Sequence, residues 1–397
     1  MKKSDITILF VYPTLFNPER GGIERVTVTL TRAFVKQGYK VIYLHHRSDI
    51  KVPDYDYPAP VFFFPSTDYN VPENYTFYHL FLKEEKINIV INQAGNFGDS
   101  KLYLSLGDNT HVKTISVLHS NPLLNYDYFS EETLKLRNNS FIEYVKLSGR
   151  FLIYSKLKKQ YWESRVENFS FLFDHTDIVC LLSENYKKEI QRVYSKQPDK
   201  IVAIGNPNSF RVNTLPLQKE KILLYVGRLT KGEKRPDRLL KIWKKIYKDF
   251  PAWKLIIVGD GPEREQMEKE ASRMKNIHFE GYQNPEEYYK KASLFCMTSN
   301  FEGFPMVLTE AMQMGAVPVA FDSFAAVSDV IKSGETGYLV RPFDLDEYAD
   351  KLKLLMSDEE ERKKMAQTGF QYIKRYNVNR IVEQWENLFN RLLYNEQ

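Results

Sequence analysis

The sequence predicts an α/β protein of two domains, each built on a doubly wound parallel sheet. Its 397 residues suit two domains better than one, at about 100–200 residues per domain. Short strands that are apolar throughout alternate with helical patterns, which is typical of parallel sheets covered on both faces. This alternation occurs twice, on either side of a polar segment at 206–220 that contains two prolines.

Each half contributes six predicted strands. Those of the first half are Ile6–Val11, Lys40–Leu44, Ile87–Ile91, Lys113–Leu118, Asp177–Leu182 and Lys200–Ile204, with a first helix at Ile23–Gln37. Those of the second half are Ile222–Val226, Lys254–Val258, Ile277–Phe279, Leu294–Met297, Val317–Ala320 and Gly337–Val340. Helical patterns lie between most of them.

These elements place the first domain at 1–206 and the second at 207–376. The last helical pattern, Asn377–Leu393, has a long apolar stripe. We therefore expect residues 377–397 to form a helix that crosses back onto the first domain. Two open α/β domains that face each other leave a cleft at the carboxyl ends of their strands, where such folds bind ligands.

Composition excludes several classes of protein. Apolar residues make up 43% and charged residues 27% of the chain, which excludes disorder as its main state. The 2 cysteines lie inside apolar runs, so a disulfide scaffold and a cysteine-based zinc site are excluded. A net charge of +5, spread over both halves, does not favour nucleic acid as a ligand. No signal-peptide pattern or bilayer-spanning run is visible, so we expect a cytoplasmic protein that at most lies on a membrane surface.

Two glutamates in the second half carry the sharpest functional signal. Glu302 follows an apolar strand, Pro305 suits the first turn of a helix, and Glu310 lies further along that helix. The first free N–H groups of the helix, near Met306 and Val307, would form an anion site. Carboxylates would repel phosphate, so their natural partners here are hydroxyls. A phosphate site with two sets of hydroxyls describes a sugar nucleotide.

Cations follow the first strand of the same half. Arg228 and Lys234 lie ahead of a helix, with Lys231 between them. In that place they can hold a diphosphate and neutralise it as it leaves. A solvated loop is the alternative interpretation.

Two glycine-containing turns are weaker signals. Gly259-Asp260-Gly261 joins a strand to a helix but lacks the spacing of a dinucleotide fingerprint, so a plain tight turn explains it equally well. Gly281-Tyr282-Gln283 is either a base-contacting loop or another turn.

In the order in which they occur, these motifs (GRL…K, GDGPE, GYQN and EGFPMVLTE) resemble those of the glycosyltransferase family 4 (group 1) enzymes of the GT-B fold. The resemblance covers about residues 221–345 well and the first domain more loosely. It implies two Rossmann-like domains and transfer of a sugar from a nucleotide donor with retention of configuration. It also implies that the enzyme needs no metal and no further cofactor. UDP is the expected nucleotide because the family uses it most.

The resemblance also assigns roles to single residues. Arg228 and Lys234 would contact the diphosphate, Glu302 the donor-sugar hydroxyls and Glu310 the nucleotide ribose. The lysine usually follows the arginine by about five positions, whereas Lys234 is the sixth residue after Arg228, so Lys231 remains an alternative phosphate ligand. Further donor contacts are implied for Gly21, Gly22, Gly259, Tyr282, Gly303, Phe304, Pro305, Met306 and Val307.

The first half offers two candidates. Gly21-Gly22 sits directly before a helix, where its backbone can approach a ligand, although a loop made flexible by glycine is the alternative. His119 ends a strand and therefore faces the expected cleft. The family has a histidine in the matching place near the donor sugar, so the implied catalytic set is His119, Arg228, Lys234 and Glu302. No side chain is assigned to the acceptor.

The segment 135–165 is basic and rich in aromatic residues. Such a helix can lie in an anionic membrane interface, while a solvated helical face over an aromatic core is the commoner explanation.

We expect a retaining transferase of a hexose or N-acetylhexosamine that acts on a glycan or lipid-linked glycan in bacterial cell-envelope or capsular polysaccharide synthesis. The abundance of Lys, Tyr, Phe and Asn favours a bacterial source. The competing hypotheses are a sugar-nucleotide epimerase on the same fold and a non-catalytic subunit of a glycan-assembly complex.

Overall fold

A computed structural model describes residues 2–46, 55–96, 98–123, 141–210, 212–216 and 218–394, and of residues 141–144 it describes the backbone. The chain divides into two compact units. The first comprises Met1–Ile204 and Trp385–Gln397, and the second comprises Gly205–Gln384. The division between Ile204 and Gly205 directly precedes the polar segment at 206–220.

The first unit contains a seven-stranded sheet in the order β3-β2-β1-β4-β5-β6-β7, in which all neighbours are parallel. Its strands are β1 (Thr7–Tyr12), β2 (Lys40–His45), β3 (Val61–Phe63), β4 (Ile89–Asn92), β5 (Lys113–Leu118), β6 (Ile178–Leu181) and β7 (Ile201–Ala203). Its described helices are α1 (Gly22–Lys36), α2 (Pro72–Glu84), α3 (Ser100–Tyr103), α4 (Phe141–Leu152), α5 (Tyr154–His175) and α6 (Tyr186–Val193).

The second unit contains a six-stranded parallel sheet in the order β10-β9-β8-β11-β12-β13. Its strands are β8 (Glu220–Val226), β9 (Lys254–Val258), β10 (Ile277–Gly281), β11 (Ala292–Met297), β12 (Val317–Phe321) and β13 (Tyr338–Val340). The helices that follow are α7 (Pro236–Ile246), α8 (Arg264–Ala271), α9 (Glu286–Lys291), α10 (Met306–Gln313), α11 (Val327–Val330), α12 (Leu345–Ser357), α13 (Glu359–Ile373) and α14 (Val378–Tyr394).

Every predicted strand is present, and the predicted doubly wound topology is confirmed in both sheets. The sequence analysis missed β3, because this strand has only three residues and follows two prolines, Pro58 and Pro60. It pairs with β2 at the edge of the sheet. A run this short and this close to prolines is not distinguishable from a loop by pattern alone.

The apolar strands are buried because helices cover both faces of each sheet. All six residues of β11 are buried, and Trp243 of α7 packs with Leu255 of β9 and Tyr348 of α12 in one core cluster. Burying a side chain such as Leu255 is favourable by about 1.5–3 kcal/mol. These cores hold the strand ends, and hence the loops that follow them, in fixed positions.

Helix α14 starts in the second unit and ends in the first. In the first unit, Phe389 packs against Phe34 of α1 and against Tyr39, with ring centroids 5.4 and 5.9 Å apart. The apolar stripe predicted for this helix thus finds apolar partners. In the part of the chain that is described, no helix is both long and apolar enough to cross a membrane.

Lys219 joins the ends of two helices in the second unit. The ammonium of this half-buried side chain donates hydrogen bonds to the carbonyl oxygens of Tyr289 (3.2 Å) and Lys290 (2.9 Å) in α9 and of Met314 just after α10. Burial lowers the pKa of Lys219 to about 7. The last carbonyls of a helix lack partners within it, so a cation here stabilises both helix ends. Lys219 thereby fixes the two helices that carry Tyr289 and Glu310.

Candidate active site

The second sheet reverses its winding between β8 and β11. From β8 the chain continues to β9 on one side, whereas from β11 it continues to β12 on the other. In open α/β sheets, ligands bind at such a switch point, beyond the carboxyl ends of the strands. The loops at this point are 227–235 after β8 and 298–305 after β11, and they contain the predicted cations and Glu302.

Hydrogen bonds fasten these two loops to each other. The Asn300 backbone N–H donates to the Glu233 carbonyl oxygen at 2.7 Å, and the Asn300 side-chain amide donates to that of Gly232 at 2.9 Å. The Thr298 hydroxyl donates to the carbonyl oxygens of Lys234 (3.2 Å) and Arg235 (3.0 Å). The loop that carries the cations is therefore held in place by the loop that carries Glu302.

Lys234 and Glu302 form an ion pair at this junction. The Lys234 ammonium lies 2.6 Å from Oε1 and 2.7 Å from Oε2 of Glu302, and the Ser299 hydroxyl donates to Oε1 at 2.7 Å. Both side chains are mostly buried, with exposed fractions of 23% and 13%. A partly buried pair is screened less by solvent than a surface pair, and hydrogen bonds to both oxygens fix the carboxylate.

The other two cations of the loop are placed differently. Arg228 is exposed, and its guanidinium forms no ion pair with any residue that is described. Lys231 is more exposed than Lys234 and pairs with Glu263, 3.3 Å away. The structure thus places Lys234, rather than Lys231, beside Glu302, and it leaves Arg228 available to an anionic ligand.

Glu310 lies in α10 and is only 1% exposed. The Ser209 hydroxyl donates to its Oε1 at 2.6 Å, and the Tyr289 hydroxyl donates to its Oε2 at 3.0 Å. Sequence analysis identified neither partner, because Ser209 lies in a polar linker and Tyr289 is one aromatic residue among many. No sequence signal pointed to either residue. Both of these donors are neutral hydroxyls, whereas Glu302 faces the Lys234 ammonium.

The start of α10 differs from the prediction in one respect. Pro305 precedes the helix with φ −81° and ψ 72°, and the Met306 N–H donates to the Phe304 carbonyl oxygen at 2.9 Å. These angles form an inverse γ-turn. The prediction of a free N–H at Met306 was therefore wrong, because the turn engages it.

Phe304 is buried against Tyr376, with ring centroids 5.1 Å apart. Gly303 and Val307 are half-buried.

Two protein families match the chain, one in each half. Glycosyltransferase Family 4 matches residues 20–207, and Glycosyl transferases group 1 matches residues 208–372. The amylovoran biosynthesis glycosyltransferase AmsD of Erwinia amylovora is 30% identical over 275 residues, which cover 62% of this chain and 75% of AmsD. The chain belongs to the group 1 glycosyltransferases.

A second relative and a solved structure match almost the whole glycosyltransferase. A Campylobacter jejuni enzyme, GalNAc-alpha-(1->4)-GalNAc-alpha-(1->3)-diNAcBac-PP-undecaprenol alpha-1,4-N-acetyl-D-galactosaminyltransferase, is 25% identical over 393 residues, 96% of this chain and 97% of its own. A crystal structure of an S. aureus TarM mutant with fondaparinux, alpha-GlcNAc-glycerol and UDP is 16% identical, with a TM-score of 0.72. The match covers 97% of this chain and 100% of TarM. The predicted GT-B fold is confirmed.

In the first unit of the glycosyltransferase, the glycine pair stands at the start of α1. Gly21 precedes the helix with an extended backbone, and Gly22 is its first residue. A Cβ on Gly21 would lie 2.7 Å from Oε2 of Glu24, the end of a flexible side chain that can move, so the structure itself does not require glycine here. Burial raises the pKa of Glu24, which lies in the first turn of the helix.

His119 directly follows β5, and its Nε2 lies 2.5 Å from the amide oxygen of Gln93, which follows β4. Since β4 and β5 are neighbours, both side chains stand at carboxyl ends on the same edge of the sheet. Burial lowers the pKa of His119 to about 4, so the imidazole is neutral at pH 7. With Nε2 donating to Gln93, the ring can accept a hydrogen bond from a ligand through Nδ1 but offers no positive charge.

Among the residues that the structure describes, no three His, Cys, Asp or Glu side chains are grouped so that they could hold a metal ion.

The turn at Gly259 supports the loop that carries Arg228. Gly259 has φ +142°, and a Cβ there would lie 2.0 Å from the Gly227 carbonyl oxygen. The Leu229 N–H donates to the Asp260 carbonyl oxygen at 2.9 Å, which fastens the turn to the loop. The tight turn therefore explains why residue 259 is a glycine. A contact between Gly259 and the nucleotide-sugar donor stays a prediction. Tyr282, the other candidate near a turn, follows β10 and is exposed.

We expect Gly259→Ala to destabilise the second unit by about 1–3 kcal/mol or more, because it adds both backbone strain and a clash with main-chain atoms. Thermal or urea unfolding measures the change. Gly232→Ala is the matched control, since nothing lies within 4 Å of its Cβ position. Its effect should stay within about 0.5 kcal/mol. Equal stability of the two variants would contradict the role assigned to Gly259.

Proposed function

We propose that this glycosyltransferase transfers a hexose or N-acetylhexosamine from a nucleotide sugar, UDP being the preferred nucleotide, with retention of configuration. The single observation that carries the proposal is the Lys234–Glu302 pair at the switch point, with the exposed Arg228 on the same loop. The arrangement combines cations for a diphosphate with a fixed carboxylate for sugar hydroxyls. The UDP bound in the TarM complex supports the choice of nucleotide.

The acceptor we propose is a glycan or lipid-linked glycan of a bacterial cell-envelope or capsular polysaccharide. Support comes from the relatives' names. AmsD acts in amylovoran biosynthesis, and the C. jejuni enzyme extends a glycan on PP-undecaprenol.

In the mechanism that we propose, Arg228 and Lys234 bind the diphosphate. The bond between the anomeric carbon and the phosphate oxygen breaks, and the diphosphate leaves with the electron pair. The acceptor hydroxyl forms its bond to the anomeric carbon from the same face and gives its proton to a donor phosphate oxygen, so no separate base is required. The protein contributes electrostatic preorganisation and positioning of both substrates.

In this mechanism Lys234 interacts with both the diphosphate and Glu302. A carboxylate beside a diphosphate would repel it, but the ammonium 2.6 Å from Glu302 compensates the negative charge. Glu302 can then bind donor-sugar hydroxyls and stabilise positive charge that develops on the sugar. The family resemblance implies a place near the donor sugar for His119, whose neutral ring, held by Gln93, would accept a hydrogen bond there.

Glu310 would bind the ribose. A carboxylate oxygen can accept more than one hydrogen bond, so an oxygen that accepts from Ser209 or Tyr289 can also accept from a ribose hydroxyl. Because Glu310 is buried, the ribose either reaches it as a further hydrogen-bonding partner or displaces Ser209, which is the less buried of the two donors.

Arg228→Ala and Lys234→Ala should each slow transfer by roughly 10²–10³, the range for losing one preorganised donor. Lys231→Ala is the matched control from the same loop and should have a much smaller effect, since Lys231 pairs with Glu263 instead. Single-turnover transfer from the donor measures all three. A sensitive Lys231 with a silent Lys234 would show that the phosphate ligand is misassigned.

In a second experiment, replacing each of the two glutamates should have a different effect on UDP affinity and on the rate of transfer. Glu310→Gln should weaken the binding of free UDP by about 10–150-fold, the equivalent of ~1.5–3 kcal/mol for a hydrogen bond to a charged group. Glu302→Gln should leave UDP affinity nearly unchanged and lower the rate of transfer. Calorimetric titration with UDP, set beside single-turnover transfer, makes the comparison. The split assignment fails if both variants bind UDP equally weakly, or if both bind it like the wild type.

A third experiment concerns metals. With the diphosphate neutralised by protein cations, transfer should persist in excess EDTA. Complete loss that Mg²⁺ or Mn²⁺ restores would contradict the proposed mechanism. Incubation with donor alone serves as a control for the reaction class, because an epimerase would form product without an acceptor.

A further inference from the structure

The junction of α4 and α5 exposes large apolar side chains next to one another. Phe151 is 69% exposed, Leu152 84% and Ile153 48%, and we call these three residues the apolar tip. Val145 of α4 is 56% exposed. The other exposed large apolar residues of the described chain occur one at a time along the sequence. Single exposed residues are ordinary, whereas a contiguous group marks a surface that another molecule covers.

Basic residues predominate around the apolar tip. From Val145 to Trp162 the sequence has five basic residues and no acidic one: Lys146, Arg150, Lys156, Lys158 and Lys159. Lys146, Lys156 and Lys159 are exposed, and Glu163, the next residue of the sequence, forms an exposed ion pair with Lys159 at 3.8 Å, which is worth little in water. A partner that covers this surface must therefore offer an apolar environment together with negative charge.

Two hydrogen bonds cross the junction. The Ile153 N–H donates to the Gly149 carbonyl oxygen at 3.3 Å, and the Leu157 N–H donates to that of Ile153 at 2.9 Å. Ile153 itself has φ −105° and ψ 10°, so it interrupts the helix between α4 and α5. Leu152 and Lys156, on either side of this break, are both exposed. A lysine stem can lie along an apolar surface while its ammonium reaches outward.

We propose that the α4–α5 junction binds the surface of an anionic lipid bilayer. The apolar tip enters the interface below the headgroups, and Lys146, Lys156 and Lys159 contact the lipid phosphates. The sequence predicted a membrane contact somewhere within residues 135–165, and the proposal places it at residues 145–159. Residues 135–140 lie outside the described residues. The inference stands on exposure and charge alone and is independent of the donor site.

A vesicle-binding experiment with the full chain tests the proposal, and it needs neither donor nor acceptor. The wild type should co-sediment with vesicles of phosphatidylcholine and phosphatidylglycerol, more weakly with phosphatidylcholine alone, and less as salt is raised. The double variant Phe151→Ser/Leu152→Ser should reduce binding by roughly tenfold or more, since burying one such side chain corresponds to about an order of magnitude in affinity. Lys156→Glu/Lys159→Glu should reduce it by at least about fivefold.

Leu80→Ser is the matched control, because Leu80 is an isolated, 55% exposed apolar residue of α2. It should bind vesicles like the wild type. All replaced side chains are exposed, so the variants should share the wild-type melting temperature. The proposal is overturned if the wild type ignores anionic vesicles, or if the tip variant binds them as well as the wild type. It is also overturned if the wild type is a dimer that the tip variant dissociates, because a second copy of the chain would then cover the surface.

Discussion

The ion pair between Lys234 and Glu302 is the interaction on which the rest of the site depends. It forms because β8 and β11 are parallel neighbours whose carboxyl ends meet, and because Asn300 and Thr298 fasten one loop to the other. Removing two charges from water is costly unless the geometry is good and further hydrogen bonds satisfy the ions. Contacts from the ammonium to both carboxylate oxygens, with Ser299 as an additional donor, meet that condition.

The two glutamates of the site have different hydrogen-bonding partners, and we propose that they bind different parts of the donor. Glu302 faces a cation, which in the mechanism that we propose lets a carboxylate stand near a diphosphate without repelling it. Glu310 accepts hydrogen bonds from two neutral hydroxyls, and we propose that it also accepts from the ribose. Lys219 joins the carboxyl-terminal ends of the helices that carry Tyr289 and Glu310. One sheet thus supports two carboxylates in different surroundings.

Sequence patterns predicted the parts of the fold that depend on local periodicity, but not the parts that depend on contacts between distant residues. The strands were predictable because buried parallel strands are apolar throughout, and Glu302 and Lys234 because each follows such a strand. Ser209 and Tyr289 were not predictable as partners of Glu310, since they lie 101 and 21 positions from it along the chain. The Met306 N–H was misjudged because the turn at Pro305 depends on backbone angles that proline only partly fixes.

A double-mutant cycle on Lys234 and Glu302 tests most directly whether the pair acts as a unit. A thermal-shift screen of nucleotide sugars first identifies the donor, since a bound donor raises apparent stability. Single-turnover transfer is then measured for Lys234→Ala, Glu302→Gln and the double variant. Our account predicts that the double variant is at least about tenfold faster than independent effects would give, a coupling of ~1.4 kcal/mol or more. If the two substitutions reduce the rate of transfer independently, so that the coupling is below about 0.5 kcal/mol, the account is contradicted.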